Sequence, residues 1–197
     1  MITITYFGYG SLVNAATVPD GAEIVPGRLK GWVREWRVCG VWENGQGRCA
    51  LSVRQEPGSE IRGVMTREQQ SRLQALEQRE SRYEKIGQIG TSFRCEAESK
   101  PGPEELFLFK ATPENERWGC DRHPILQSYL DCVLAGFYQI WGEEGVSHFF
   151  DTTDGWHVPV LQDRAAPLYP RAVKIDTKLL QLFDDQIERQ KLTLISA

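Results

Sequence analysis

Strand-like segments crowd the first 66 residues of this chain and helix-like segments follow, and that order restricts the fold more than any other feature. Ile2 to Phe7 alternates apolar and polar residues and ends at Gly8-Tyr9-Gly10-Ser11. Gly31 to Val41 sets Trp32, Trp36, Val38 and Val41 among polar residues, and Arg48 to Val53 and Ile61 to Met65 are shorter runs bounded by Gly and Pro. A first helix is expected from Arg67 to about Lys85, a stretch without Gly or Pro, with Thr66 and Gln69 as a capping box. Strands Thr91 to Glu98 and Leu106 to Ala111 follow, joined by the Pro-rich turn Ser99 to Glu105. A second helix is expected from near Pro124 to about Trp141, stopping at Gly142, with Ile125, Tyr129, Val133 and Phe137 giving it one broad apolar face. Val146 to Phe150 reads as a short helix and Gly155 to Ile175 as extended chain. Thr177 to about Lys191 reads as an amphipathic helix capped by Asp176 or Thr177. A doubly wound sheet would alternate strand with helix. This grouping instead predicts an α+β fold, a small mixed, mostly antiparallel β-barrel or sheet flanked by helices. The chain has no repeat or long linker, and 197 residues suit a single domain over 1–197.

Composition removes several functional classes. Twenty-three Lys and Arg stand against 27 Asp and Glu, so the basic excess of a phosphate-binding nucleic-acid protein is missing. No apolar run is long enough to span a bilayer, and Met1 to Thr5 alternates like a strand rather than a signal peptide. The five cysteines are odd in number and lack a Cys-x-x-Cys pair, which argues against a disulfide framework or a zinc site and for a cytoplasmic setting. Cys120 and His123 could begin a metal site, but no second pair follows, so no metal or other cofactor is expected. Trp118 and Trp156 lie in loop-like segments and could line a pocket, whereas most of the six tryptophans, Trp42 among them, read as core or cover residues.

Two segments carry chemistry. Leu73, Leu76, Glu80 and Tyr83 step by three, four and three, which places them on one helical face at about 100° per residue. Glu77 and Glu84 fall toward the flank of that stripe; Glu80 falls inside it. A carboxylate there is costly without a partner, and its desolvated pKa moves toward the range useful for proton transfer. Glu80 is therefore either a general acid–base or the partner of a cation, with Arg79, Arg82 and Arg54 as candidates. The second segment is Gly8-Tyr9-Gly10-Ser11-Leu12, whose glycines let backbone N–H groups approach a ligand. A short helix starting near Ser11 would turn those groups into an anion site. Val13 stands where a dinucleotide fingerprint needs its third glycine, and Tyr9 and Val13 break a hydrolase elbow around Ser11.

Together these segments resemble the γ-glutamylcyclotransferase superfamily. Tyr6-Phe7-Gly8-Tyr9-Gly10-Ser11-Leu12 looks like its Y-G-S loop, and Leu73-x-x-Leu76-x-x-x-Glu80-x-x-Tyr83 resembles the helix with its catalytic glutamate. Gly63-Val64-Met65 sits where the family has the strand leading into that helix, and Ser128-Tyr129 followed by Gly136 is similar to a segment with a substrate-contacting tyrosine. The resemblance spans Tyr6 to Gly136, about two thirds of the chain. Animal-type enzymes have Asn after the Ser and Gly after the glutamate, where this chain has Leu12 and Ser81; Tyr-Gly-Ser-Leu with Arg79-Glu80 is nearer the glutathione-degrading branch. The stretch Thr152 to Ala197 resembles neither branch.

The resemblance implies a cofactor-independent enzyme that cyclises the γ-glutamyl group of a γ-glutamyl peptide such as glutathione, releasing 5-oxoproline. Glu80 would be catalytic, and Gly8, Tyr9, Gly10, Ser11, Leu12, Tyr83 and Tyr129 would bind substrate. The partner would be that small molecule, with no nucleic acid or membrane, in a monomer or homodimer. A γ-glutamylamine cyclotransferase and a non-catalytic binding domain are the alternatives, and residues of Gly155 to Tyr169 could set the leaving-group preference.

Overall fold

The computed structural model describes residues 2–41, 47–95, 101–102 and 105–197. Its chain order is β1 (Thr3–Gly8), β2 (Glu23–Val41), β3 (Gly47–Gln69), α1 (Leu73–Arg79), β4 (Tyr83–Ile86), β5 (Phe93–Cys95) and β6 (Leu106–Ala111). There follow β7 (Ile125–Leu126), α2 (Gln127–Asp151), β8 (Thr153–Asp154), β9 (Val160–Gln162), α3 (Thr177–Arg189) and β10 (Leu194–Ser196). The α+β grouping is as the sequence predicts: a mixed sheet with helices against it.

The long ladders are antiparallel. β2 and β3 form one extended hairpin, paired from Glu23↔Arg67 to Val41↔Gly47 with irregularities after Lys30 and Trp36. β1 lies antiparallel to the far end of β3, from Thr3↔Gln69 to Gly8↔Val64. β6 pairs parallel with β1, and β4 closes that side antiparallel to β6. On the other side β7 touches β3 at Cys49↔Ile125, and β9 and β10 continue in parallel. β5 and β8 add short pairings to β2.

The main core lies between the hairpin and α2. Trp36, Leu51, Val53 and Met65 meet Leu130, Val133, Phe137 and Phe149, all of them buried. Each such side chain contributes about 1.5–3 kcal/mol of transfer free energy. A second cluster under α1 joins Tyr6, Leu12, Leu76, Phe107 and Phe109.

Several expected boundaries move. Residues 67–69 belong to β3, because the ladder to β1 outweighs their helix propensity, and Thr66 is a strand residue rather than a cap. α1 is therefore one short element, and Tyr83 begins a strand. The strand expected over 91–98 is described only as a 3₁₀ turn over Gly90–Ser92 and β5; residues 96–98 and part of the turn that follows lie outside the described residues. α2 starts at Gln127 rather than near Pro124, and it absorbs the short helix expected over 146–150. It passes Gly142 with φ 63° and ψ −152°, a backbone region open to glycine, so two helices meet there at a kink. Its first three turns are buried on nearly every side rather than on one face. The polar residues there are partnered: Arg164 grips Asp131 at 2.6 and 2.8 Å. α3 forms as expected, with the Asp176 side chain accepting from Leu179 N–H. Short β8 and β9 interrupt the extended 155–175 region and its approach, and β10 was not foreseen.

Candidate active site

The loop after β1 turns at once into a 3₁₀ helix over Ser11–Val13, with Gly10 before it. The N–H groups of Val13 and Asn14 close that turn on Gly10 and Ser11 carbonyls. Those of Gly10, Ser11 and Leu12 donate to no described backbone acceptor, as expected for the start of a helix. Asn14 anchors the loop to α2: its Nδ2 donates to Cys132 O at 2.8 Å. Gly136 permits this approach, since a Cβ there would stand 2.7 Å from the Asn14 nitrogen.

Glu80 lies one residue past α1. Its N–H still bonds Leu76 O at 2.9 Å, so the helical turn reaches it, and Tyr83 N–H returns to Glu80 O at 2.9 Å. These two bonds bring Glu80 and Tyr83 to the cleft although α1 ends before both. The Glu80 side chain is 14 % exposed, and Arg79 Nε stands 3.2 Å from its Oε1. Burial raises the carboxyl above its usual range, and the charges of Arg79 and Arg171 oppose that rise. The Arg79 guanidinium also donates to Thr17 O at 2.6 Å and Ser11 Oγ at 3.2 Å, which ties the glutamate to the glycine loop.

Glu80 thus has both a cationic partner and a desolvated carboxyl. Glu77 and Glu84 are exposed.

Ser11, Glu80, Tyr83 and Tyr129 border one cleft of about 420 Å³, and Tyr169 and Arg171 share its lining. Tyr83 donates to Leu51 O at 2.9 Å. Burial, with the negative charge of Glu80 among the further causes, pushes the phenols of Tyr9, Tyr83 and Tyr129 well above their usual range, so all are neutral donors. Tyr9 lies behind the wall, its hydroxyl spent on Phe109 O at 2.6 Å. Leu12 points into the second core cluster, and Gly8 sits at the end of β1 with its Cα against Leu12. None of these three lines the cleft; from the loop Ser11 does, and a Cβ at Gly10 would stand 3.2 Å from the Tyr129 hydroxyl.

Tyr169 ends the stretch expected to set the leaving-group preference and Arg171 lies just beyond it; neither was singled out as a residue, because their place depends on a distant anchor. Asp163 is buried and accepts from Ser128 N–H at 2.8 Å and Ser128 Oγ at 2.5 Å, at the start of α2. It also accepts from Leu168 N–H at 2.9 Å, and Tyr169 N–H donates to Ser128 Oγ at 3.2 Å. The Tyr169 ring then stacks edge-on against Tyr129, 4.9 Å between centroids. Other expectations resolve outside the cleft. Cys120 Sγ lies 3.7 Å from His123 Nδ1, and the described residues contain no cluster of three or more metal-ligating side chains. All five thiols are free. Trp156 packs on the core beside Trp36, Trp118 stacks on His157, and Trp42 is outside the described residues. No helix among the described residues is long and apolar enough to cross a membrane.

No protein-family model and no curated protein sequence matches the chain. Solved structures do. A γ-glutamyl cyclotransferase superposes with a TM-score of 0.57 over 93 % of this chain and 99 % of its own, at 14 % identity. The fold is that of the γ-glutamyl cyclotransferases. The human protein loc79017 shares it, with a TM-score of 0.53 over 92 % of this chain and 98 % of its own, at 15 % identity. Near-complete coverage in both directions means that the cyclotransferase fold extends through the C-terminal stretch, where the sequence showed no resemblance. At such identity the likeness is one of fold, and the roles of individual side chains rest on the cleft itself.

Proposed function

We propose that this chain is a γ-glutamyl cyclotransferase that converts a γ-glutamyl peptide, with glutathione as a candidate, into 5-oxoproline and a free amino compound. The observation that carries this reading is the desolvated Glu80 carboxyl in the cleft that Ser11 of the glycine loop also borders.

The substrate α-amine attacks its own γ-amide carbonyl. A C–N bond forms within a five-membered lactam, and the C–N bond to the leaving amine breaks. Both ends belong to one molecule, so holding the chain folded supplies much of the rate; well-oriented intramolecular reactions reach effective molarities of about 10⁵–10⁸ M. Glu80 accepts the ammonium proton and returns it to the departing nitrogen, and the second proton, shed by the attacking nitrogen as the lactam forms, leaves with the amino product as its ammonium. Desolvation makes the carboxylate more basic, which suits the first half, and Arg79 at 3.2 Å opposes that rise. The loop N–H groups of Gly10, Ser11 and Leu12 hold the α-carboxylate. Tyr83, fixed on Leu51 O, and Tyr129 form the wall that keeps the γ-glutamyl chain bent.

The test is incubation of the protein with glutathione and a panel of γ-glutamyl dipeptides, with 5-oxoproline read by mass spectrometry. Glu80→Gln keeps the shape and loses the proton relay, so it should lower kcat by about 10²–10⁴-fold. Near-normal turnover by that variant would remove Glu80 from the mechanism.

A further inference from the structure

Cys39 and Cys49 stand opposite each other where β2 pairs with β3. Opposed residues of an antiparallel ladder place their side chains on the same face. The Cys39 N–H donates to Asn115 O at 3.3 Å and the Cys49 N–H to Pro124 O at 2.8 Å, so both amides point out of the hairpin. The two cysteines therefore occupy a non-hydrogen-bonded position of the ladder. In such a pair the Cα atoms approach to about 4.5 Å, inside the range of about 4.4–6.8 Å that a disulfide spans. Their thiols are within hydrogen-bonding reach of each other. Hydrogen bonding from Cys49 holds the Cys39 thiol below its usual range, while burial, and then the same contact, pushes Cys49 well above its own. One sulfur of the pair is thus the readier thiolate, the form that reacts.

The segment 117–119 covers the pair. Cys39 Sγ lies 3.1 Å from Arg117 O and 3.2 Å from Trp118 O, and a Cβ on Gly119 would stand 2.9 Å from Cys49 Sγ. Both cysteines are only 2 % exposed. Cys49 nevertheless belongs to the lining of the cleft, between Arg48 and Ala50, and Cys39 does not. The cleft therefore reaches a dithiol for which lactam formation has no use. We propose that Cys39 and Cys49 are a site of reversible oxidation, closed to a disulfide by a small peroxide that enters through the cleft. A thiolate takes one oxygen from the peroxide as the O–O bond breaks, which leaves a sulfenic acid and one water. The second thiol then displaces that oxygen as another water, and the S–S bond forms. The two thiols lose two electrons and two hydrogens, and the peroxide is reduced by the same two electrons. The site needs only the opposed thiols and the cleft, so it stands whatever the cleft turns over.

Peptide mapping of the native full chain after exposure to hydrogen peroxide tests it. Trypsin cuts after Arg37, Arg48 and Arg54, hence between the two cysteines, so the disulfide appears as residues 38–48 joined to residues 49–54. The joined species should form in the wild type and in Cys120→Ser, which removes the exposed thiol, and dithiothreitol should release both peptides completely. It should be absent from Cys39→Ser, and Cys49→Ser supplies the same negative should that chain fail to fold. Urea below the unfolding transition should leave its rate of formation unchanged, because the folded cleft admits the oxidant. Recovery of the two peptides unjoined while Cys120 is oxidised would overturn the site, as would joining of Cys49 to Cys95 or Cys132 instead. A rate that climbs with urea would overturn entry through the cleft, since the pair would then react only in opened chains.

Discussion

A carboxyl group that must take a proton from an ammonium and hand it to a departing amine works poorly if it ionises as it would in water. Glu80 is moved off that value by burial, with Arg79 limiting the move. Two consequences are measurable. The acid limb of kcat/KM against pH should fall above the ordinary carboxylate value of 4.5, and Arg79→Gln, which removes an opposing positive charge, should shift it further upward. Stability follows the same titration. The fold favours the neutral form of Glu80; that preference is fully expressed below the unfolded pKa and lost as pH rises through the folded one. Glu80→Gln, always neutral, should therefore melt above the wild type at neutral pH, and the gap should close below about pH 4.5. The carboxylate thus destabilises the fold at the pH where it would work. Glu80 was legible in the sequence because a charge in an apolar stripe is an anomaly at any helix length. The stripe itself was misread: α1 ends at Arg79, and two backbone bonds, from Glu80 N–H to Leu76 and from Tyr83 N–H to Glu80, reproduce the side-by-side placement that a longer helix would have given.

The elements that hold the cleft each depend on one local device. α2 carries Tyr129 on its first turns and bends at Gly142, whose φ of 63° and ψ of −152° a β-carbon resists. Gly142→Ala should lower stability by about 1–3 kcal/mol in denaturant titration, without changing the residues of the cleft. The loop after β9 depends on Asp163, which holds Ser128 and Leu168 together. Asp163→Ala leaves those donors unpaired in a buried place and should cost about 1–3 kcal/mol. It should also free Tyr169 and Arg171, so KM for a peptide substrate should rise more than kcat falls. Helix α3 was readable because its apolar spacing and its Asp176 cap are local facts. The end of β3 was not: residues 67–69 are good helix formers held in a strand by β1, a partner more than sixty positions away in sequence.

At the scale of the whole molecule, the grouping of strands before helices was enough to predict α+β, since it reports layers rather than pairings. The pairings were hidden. β10 reaches the sheet through β9 and β7, contacts that leave no periodicity in a three-residue strand. The second wall of the cleft was hidden for the same reason, since Tyr169 is held in place by Asp163 and Ser128 from other parts of the chain. Ser11 and Arg171 border the same cleft and lie 160 positions apart in the chain. A ribosome adding about 5–20 residues each second therefore spends about 8–32 s between making the loop that borders the cleft and making the arginine that completes its lining. During that interval the long hairpin can form alone, but the two ends cannot meet, so no nascent chain acquires the cleft before residue 171 has been made.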